Sequence, residues 1–223
     1  MRNRLFAGAA ALAAATALIA LPAGSASATV PGSPVLYTAG PAVNVGDPLS
    51  ADLVSGTIAT MYNPGTTTGV KCAASHIGGT VASNPNAPGT ASGPVNTLTF
   101  GSCTSNVVGV SSVISLTMDH LPYTLSISDS AGFPVSLSPT SAGVIQATVV
   151  LKTLAGTATC VFHSTAGSLT GSATNSPAQI TLSTQNFTKT TGPSICFPSI
   201  DFSASYGPVT DTAPGNGQVV LVN

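Results

Sequence analysis

Cys72-Ala73-Ala74-Ser75-His76-Ile77-Gly78-Gly79-Thr80-Val81-Ala82-Ser83-Asn84-Pro85 opens a stretch that ends, after the alternating run Val95-Asn96-Thr97-Leu98-Thr99-Phe100, at Cys103. A second stretch has the same plan. It begins Cys160-Val161-Phe162-His163-Ser164-Thr165, passes through Gly167 to Gly171 and the loop Asn175-Ser176-Pro177, and closes at Cys196. In each, a Cys starts a strand-like run, a Gly/Thr-rich passage and an Asn-Pro-type loop follow, and a second alternating run leads to another Cys. Apolar–polar alternation over four to eight residues is the mark of a half-buried strand, so the duplicated unit is a β-unit.

Working outward, the remaining segments read the same way. Thr29 to Pro48 holds Pro31, Pro34, Pro41 and Pro48 and reads as an extended lead-in or edge segment. Leu53 to Met61 reads as one strand, Asn63-Pro64-Gly65 as a turn, and Gly69 to Ala73 as the returning strand. Gly78-Gly79 reads as a break before a short strand at Thr80–Ala82. Val107 to Met118 is long enough for a strand with a bulge or a bend between sheets. Leu121-Pro122-Tyr123 then punctuates the chain before Thr124–Ser128 and, past Gly132-Phe133-Pro134, Val135–Leu137. Val144 to Lys152 is the most apolar of the strands and is expected to be central. Thr157–Phe162, Ser168–Ser172, Ile180–Ser183, Ile200–Tyr206 and Gln218–Val222 complete about a dozen strands at the spacing of sandwiches and barrels. No sustained 3.6-residue apolar stripe follows the first segment. The expectation is an all-β, disulfide-stabilised β-sandwich, or barrel-like sandwich, of two related halves at about 49–139 and 140–223.

The N-terminal segment stands apart. Arg2 and Arg4 precede an apolar run from Leu5 to Leu21, and Ala26-Ser27-Ala28 supplies the small residues a signal peptidase accepts. Residues 1–28 are therefore expected to be a signal peptide of the general secretory route, cleaved after Ala28, with 29–223 as one exported β-domain and no membrane span after cleavage. Four cysteines in an exported chain read as two disulfides. Three pairings are open, and the duplication favours Cys72–Cys103 and Cys160–Cys196. A four-thiolate metal site would show closely paired ligands such as C-x-x-C, and the chain has none.

Charge limits the partners. Beyond the leader the bases besides His are Lys71, Lys152 and Lys189, set against six aspartates and no glutamate. That cannot build the basic stripe that nucleic acid requires or the clusters that hold anionic lipid headgroups. The hydroxyl-rich, weakly charged surface leaves self-association or a place in the cell envelope as the partner expectation.

Candidate chemistry is sparse. His76 and His163 occupy comparable places in the two units and, with Tyr123, are the weak ligand-contact candidates. Each histidine is more simply read as a strand or loop residue bonded to a neighbour, and Tyr123 as a corner residue with its hydroxyl at the rim. Asp119 and His120 are adjacent, and neighbours on a strand face opposite ways, so they cannot orient each other as a triad requires. The G-x-S-x-G elbow and the D-x-[DN]-x-[DN]-G calcium loop are absent. The reading assigns no catalytic, cofactor-binding or metal residue. It expects a non-enzymatic structural or binding protein. The alternatives are a binder of a small apolar ligand or surface lipid, and a hydrolase using dispersed Asp and His.

At the paired Cys units and the Leu121-Pro122-Tyr123 corner, the chain resembles a group of exported actinobacterial β-proteins of unknown function. It is similar, more faintly, to the secreted proteins named activators of alkane oxidation. The resemblance implies an exported β-fold and carries over no site residues.

Overall fold

Alternating burial runs through nearly every extended segment of the chain. In the computed structural model, which describes residues 32–213, 215 and 217–223, the strand Ser199–Tyr206 buries Ile200, Phe202, Ala204 and Tyr206 and turns Ser199, Asp201, Ser203 and Ser205 outward. The period of two is what a pleated strand with one core face requires. The expected signal segment 1–28 lies outside the described residues.

Fifteen strands follow in order: β1 Leu36–Tyr37, β2 Pro48–Asp52, β3 Ala59–Tyr62, β4 Gly69–Thr80, β5 Thr90–Ser105, β6 Val110–Asp119, β7 Tyr123–Ser128, β8 Pro134–Ser138, β9 Gln146–Thr153, β10 Gly156–Ser164, β11 Leu169–Asn175, β12 Ala178–Thr191, β13 Ser199–Tyr206, β14 Thr210–Asp211 and β15 Leu221–Val222. Every pairing is antiparallel, and thirteen strands join one sheet that closes into a barrel. β1 and β15 form a separate two-stranded ribbon.

The barrel closes because its long strands change partners along their length. β4 pairs β3 over Gly69–Cys72 and β2 over His76–Thr80. β5 pairs β7 over Thr90–Val95 and meets β6 at Thr99. β12 pairs β11 over Ala178–Leu182 and β10 over Phe187–Thr191. One end is thus completed by β3, β6, β9 and β10, and the other by β2, β7, β8 and β11. The sequence halves interleave: β6 pairs β9, β8 pairs β11 and β3 pairs β13.

Two segments depart from the sequence reading. Leu53–Met61 is not one strand. Leu53 ends the β2 edge with a bridge to Tyr206, Gly56 turns the chain at φ +80°, and β3 begins at Ala59. Gly78-Gly79 does not break a strand either. β4 runs through both glycines, which permit a close crossing of backbones. A Cβ at Gly79 would sit 2.2 Å from the Pro94 carbonyl oxygen, and one at Gly93 would sit 1.8 Å from that of Thr80. A strand glycine of this kind marks close backbone approach.

Both disulfides form, Cys72–Cys103 and Cys160–Cys196. The first joins directly opposed residues of β4 and β5, with Cα atoms 3.9 Å apart. The second ties β10 to the loop after β12. Each closes a loop worth about 3–4 kcal/mol in the chain-entropy account.

Candidate functional site

The interior is packed differently at its two ends. At the β3–β6–β9–β10 end, Phe162, Phe187 and Phe202 are buried, and Phe202 takes edge-to-face contacts from Phe100 at 6.0 Å and Phe187 at 6.4 Å between ring centroids. The same core cluster holds both disulfides. At the β2–β7–β8–β11 end the core is aliphatic, built from residues such as Val81, Ala91, Ile127, Ala173, Ile180 and Val222, with Phe133 as its one aromatic ring among the described residues.

That aliphatic end holds a partly open chamber with a solvent-accessible volume of about 100 Å³. Leu36, Ala51, Ile77, Ala91, Ile127, Ala173, Ile180 and Val222 line it, and all of these side chains are buried. The reason for the space is residue size. Positions that the barrel turns inward here carry Ala91 and Ala173, where the other end carries phenylalanine. The polar groups on the wall are uncharged: Ser50, Thr80, Ser92, Thr174, Asn175 and Gln179. By contrast, a void beside Cys160–Cys196 measures about 30 Å³. Since one water occupies roughly 10–15 Å³ on this measure, the chamber has room for a short aliphatic group.

None of the ionisable groups lines this chamber. His76 Nδ1 lies 2.8 Å from Asp52 Oδ1 across β4 and β2, on a face where the Asp52 side chain is 82% exposed. His163 Nε2 meets Gln146 Oε1 at 2.9 Å, and Gln146 Nε2 donates to Asp119 Oδ2 at 2.7 Å. Asp119, Gln146 and His163 are cross-strand neighbours on β6, β9 and β10. They point outward, opposite the buried Met118, Ala147 and Phe162, and stitch three strands together on the exterior. His120 turns away from Asp119 at φ +63° and pairs through Nδ1 with the Val144 carbonyl at 3.0 Å. Among the described residues, no three His, Cys, Asp or Glu side chains gather as a metal-holding group.

Tyr123, a ligand-contact candidate from the sequence, is sealed in the core. Its hydroxyl donates to the Asp119 carbonyl and accepts the Gln146 N–H at 3.3 Å. Tyr206, fully buried, shares a hydrogen bond with Ser75 at 2.9 Å. Burial pushes both phenols up to about 12 from the usual 10. The Gln146 amide opposes this at Tyr123, where the Asp119 charge adds to it, and the Ser75 hydroxyl opposes it at Tyr206. No helix among the described residues is long and apolar enough to cross a membrane.

The chamber residues were not legible as a site in the sequence. Ala91 and Ala173 alternate with polar neighbours as any core alanine does, and the useful signal lies in what is missing around them, namely large inward side chains. Comparison with family models, with curated proteins and with solved structures finds no match to this chain.

Proposed function

We propose that the protein is an exported, disulfide-stapled β-barrel that binds a small, uncharged, apolar molecule in its aliphatic chamber. The observation that carries this reading is the aliphatic space among Ala91, Ala173, Ile127 and Ile180, in a chain whose other end is filled by aromatic rings. Ligand pockets are mostly apolar with a few placed polar groups, and Gln179, Ser50 and Ser92 are the groups available to fix a polar end. A carboxylate or phosphate brought into this wall would find no cationic partner, and an unpaired buried charge is strongly disfavoured. Export is supported by the leader-type sequence and by two disulfides, which persist in oxidising compartments. A binding role is favoured over catalysis by the position of Asp52, His76, Asp119 and His163 on outer strand faces, away from the aliphatic chamber.

Fluorescence titration with N-phenyl-1-naphthylamine, an uncharged apolar dye, tests the assignment. Saturable binding is expected, weakened at least about tenfold by Ala173→Leu, which fills the chamber (tenfold being 1.4 kcal/mol). Competition by a medium-chain alcohol but not by the matching carboxylate is also expected. Dye binding that ignores Ala173→Leu, or no binding at all, would contradict the assignment.

A further inference from the structure

The chamber is only partly open to solvent, with Ser50, Ser92 and Gln179 half-buried in its wall, so a guest reaches the buried aliphatic part through whichever wall element yields. The thirteen-stranded barrel is laced by backbone ladders, but the β1–β15 ribbon belongs to a separate sheet while contributing Leu36 and Val222 to the chamber wall. Its two long sides are held differently. On the β1 side the main chain does the holding: Val35 N–H donates to the Pro85 carbonyl and Ala87 N–H to that of Ser33, with Asn84 adding a reciprocal pair to Leu36 (2.8 and 2.9 Å). On the other side, β15 and β11 share no ladder. They are joined through the side chain of Asn175, whose Oδ1 accepts from Val222 N–H at 2.9 Å and whose Nδ2 donates to the Val222 carbonyl at 2.7 Å. One amide thereby takes the place of a neighbouring strand.

We propose that the chamber opens at the β11–β15 seam, with Asn175 as its latch and the β1 side as its hinge. The inference rests on the reading of the chamber as a ligand site and adds the route by which the ligand arrives. Asn175 itself lines the chamber, as does Val222, so parting the two exposes the aliphatic wall directly. Parting β15 from β11 breaks the two Asn175 hydrogen bonds and leaves the barrel ladders intact, with Val220 N–H still bound to the Val209 carbonyl just before β15, which makes the seam the wall element of lowest expected opening cost. Asn84, in the matching loop of the first unit, makes the same reciprocal clasp on Leu36. There, backbone bonds back it up, so that side stays closed.

Stopped-flow kinetics with N-phenyl-1-naphthylamine test the route. Asn175→Ala is expected to raise both the association and the dissociation rate about tenfold, the scale of one or two lost hydrogen bonds, and to leave the dissociation constant within about twofold. The control is Gln185→Ala, which removes a side-chain clasp on Thr170 N–H of β11 away from the chamber and is expected to change neither rate. Unchanged rates in Asn175→Ala, with the dye binding normally to the unaltered protein, would overturn the latch. Absence of binding to the unaltered protein would instead sink the ligand-site reading. Hydrogen exchange on the unaltered protein decides the latch in either event. The Val222 amide is expected to exchange at least about a hundredfold faster than the ladder amides of β9, as a locally opening segment does. Exchange as slow as that of β9 would overturn it, whether or not Asn175→Ala folds.

Discussion

The two ends of this barrel share the long strands β4, β5 and β12 but are filled differently. At one, Phe100, Phe162, Phe187 and Phe202 and both disulfides fill the interior. At the other, Val, Ile and Ala leave about 100 Å³ open beneath a two-stranded ribbon. The contrast teaches a division of labour within one sheet. Stability is concentrated where aromatic area and covalent closure coincide, and the end freed from that duty retains space. Interiors are normally packed close to crystal density, so an aliphatic void of this size stands out against the filled core at the other end.

Truncation at the filled end should show the contrast most strongly. Phe202→Ala removes a fully buried ring with two edge-on partners and is expected to destabilise by about 3–5 kcal/mol, read by chemical denaturation. Replacing Cys160 and Cys196 together by Ala should cost about 3–4 kcal/mol by the same measurement and leave dye binding at the far end intact in the folded fraction. A loss of binding beyond the loss of fold would show that the two ends are not separable.

A finer comparison inserts the same two methyl groups at each end. Ala147 is fully buried in the aromatic cluster and Ala173 borders the chamber. Ala147→Val should destabilise by about 1–3 kcal/mol through overpacking. Ala173→Val should be neutral or stabilising by up to about 1 kcal/mol, since it fills space and suits a strand. Equal effects of the same sign would erase the distinction between the ends.

Alkaline pH acts on the middle of the barrel. Tyr123 and Tyr206 ionise near 10 when unfolded and at about 12 when folded, because burial disfavours the phenolate. Between those values the unfolded chain has lost protons that the folded one keeps. Each tyrosine's contribution is therefore complete below pH 10 and falls as pH rises toward 12, at up to about 1.4 kcal/mol per pH unit. Tyr206→Phe should flatten that slope in denaturation curves collected from pH 9 to 12.

Much of this architecture was legible in the sequence. The duplicated Cys units gave the disulfide pairing, and alternation gave the all-β class and the bulged β6, whose register with β9 slips at Val110/Ser112 and Val113/Ser115. β9, expected to be central, lies between β6 and β10 in a sheet that closes on itself and so has no centre. Gly78-Gly79 misled because a glycine pair usually marks a turn, whereas here it admits a crossing backbone that only the folded chain brings near. Sandwich and barrel-like closure could not be told apart for a related reason: closure depends on β4, β5 and β12 switching partners midway, and alternation says which face is inward but not which strand lies alongside. Asn175 read as a loop residue. Its role depends on β15, which arrives from the far end of the chain.

The most direct measurement is a crystal structure of the protein soaked with 6-bromo-1-hexanol, located by the anomalous signal of bromine. The account predicts a bromine peak inside the barrel among Ala91, Ile127 and Ala173, with the hydroxyl toward Gln179 or Ser92. A saturating soak that leaves this space empty, or places bromine on the outer faces alone, would contradict it.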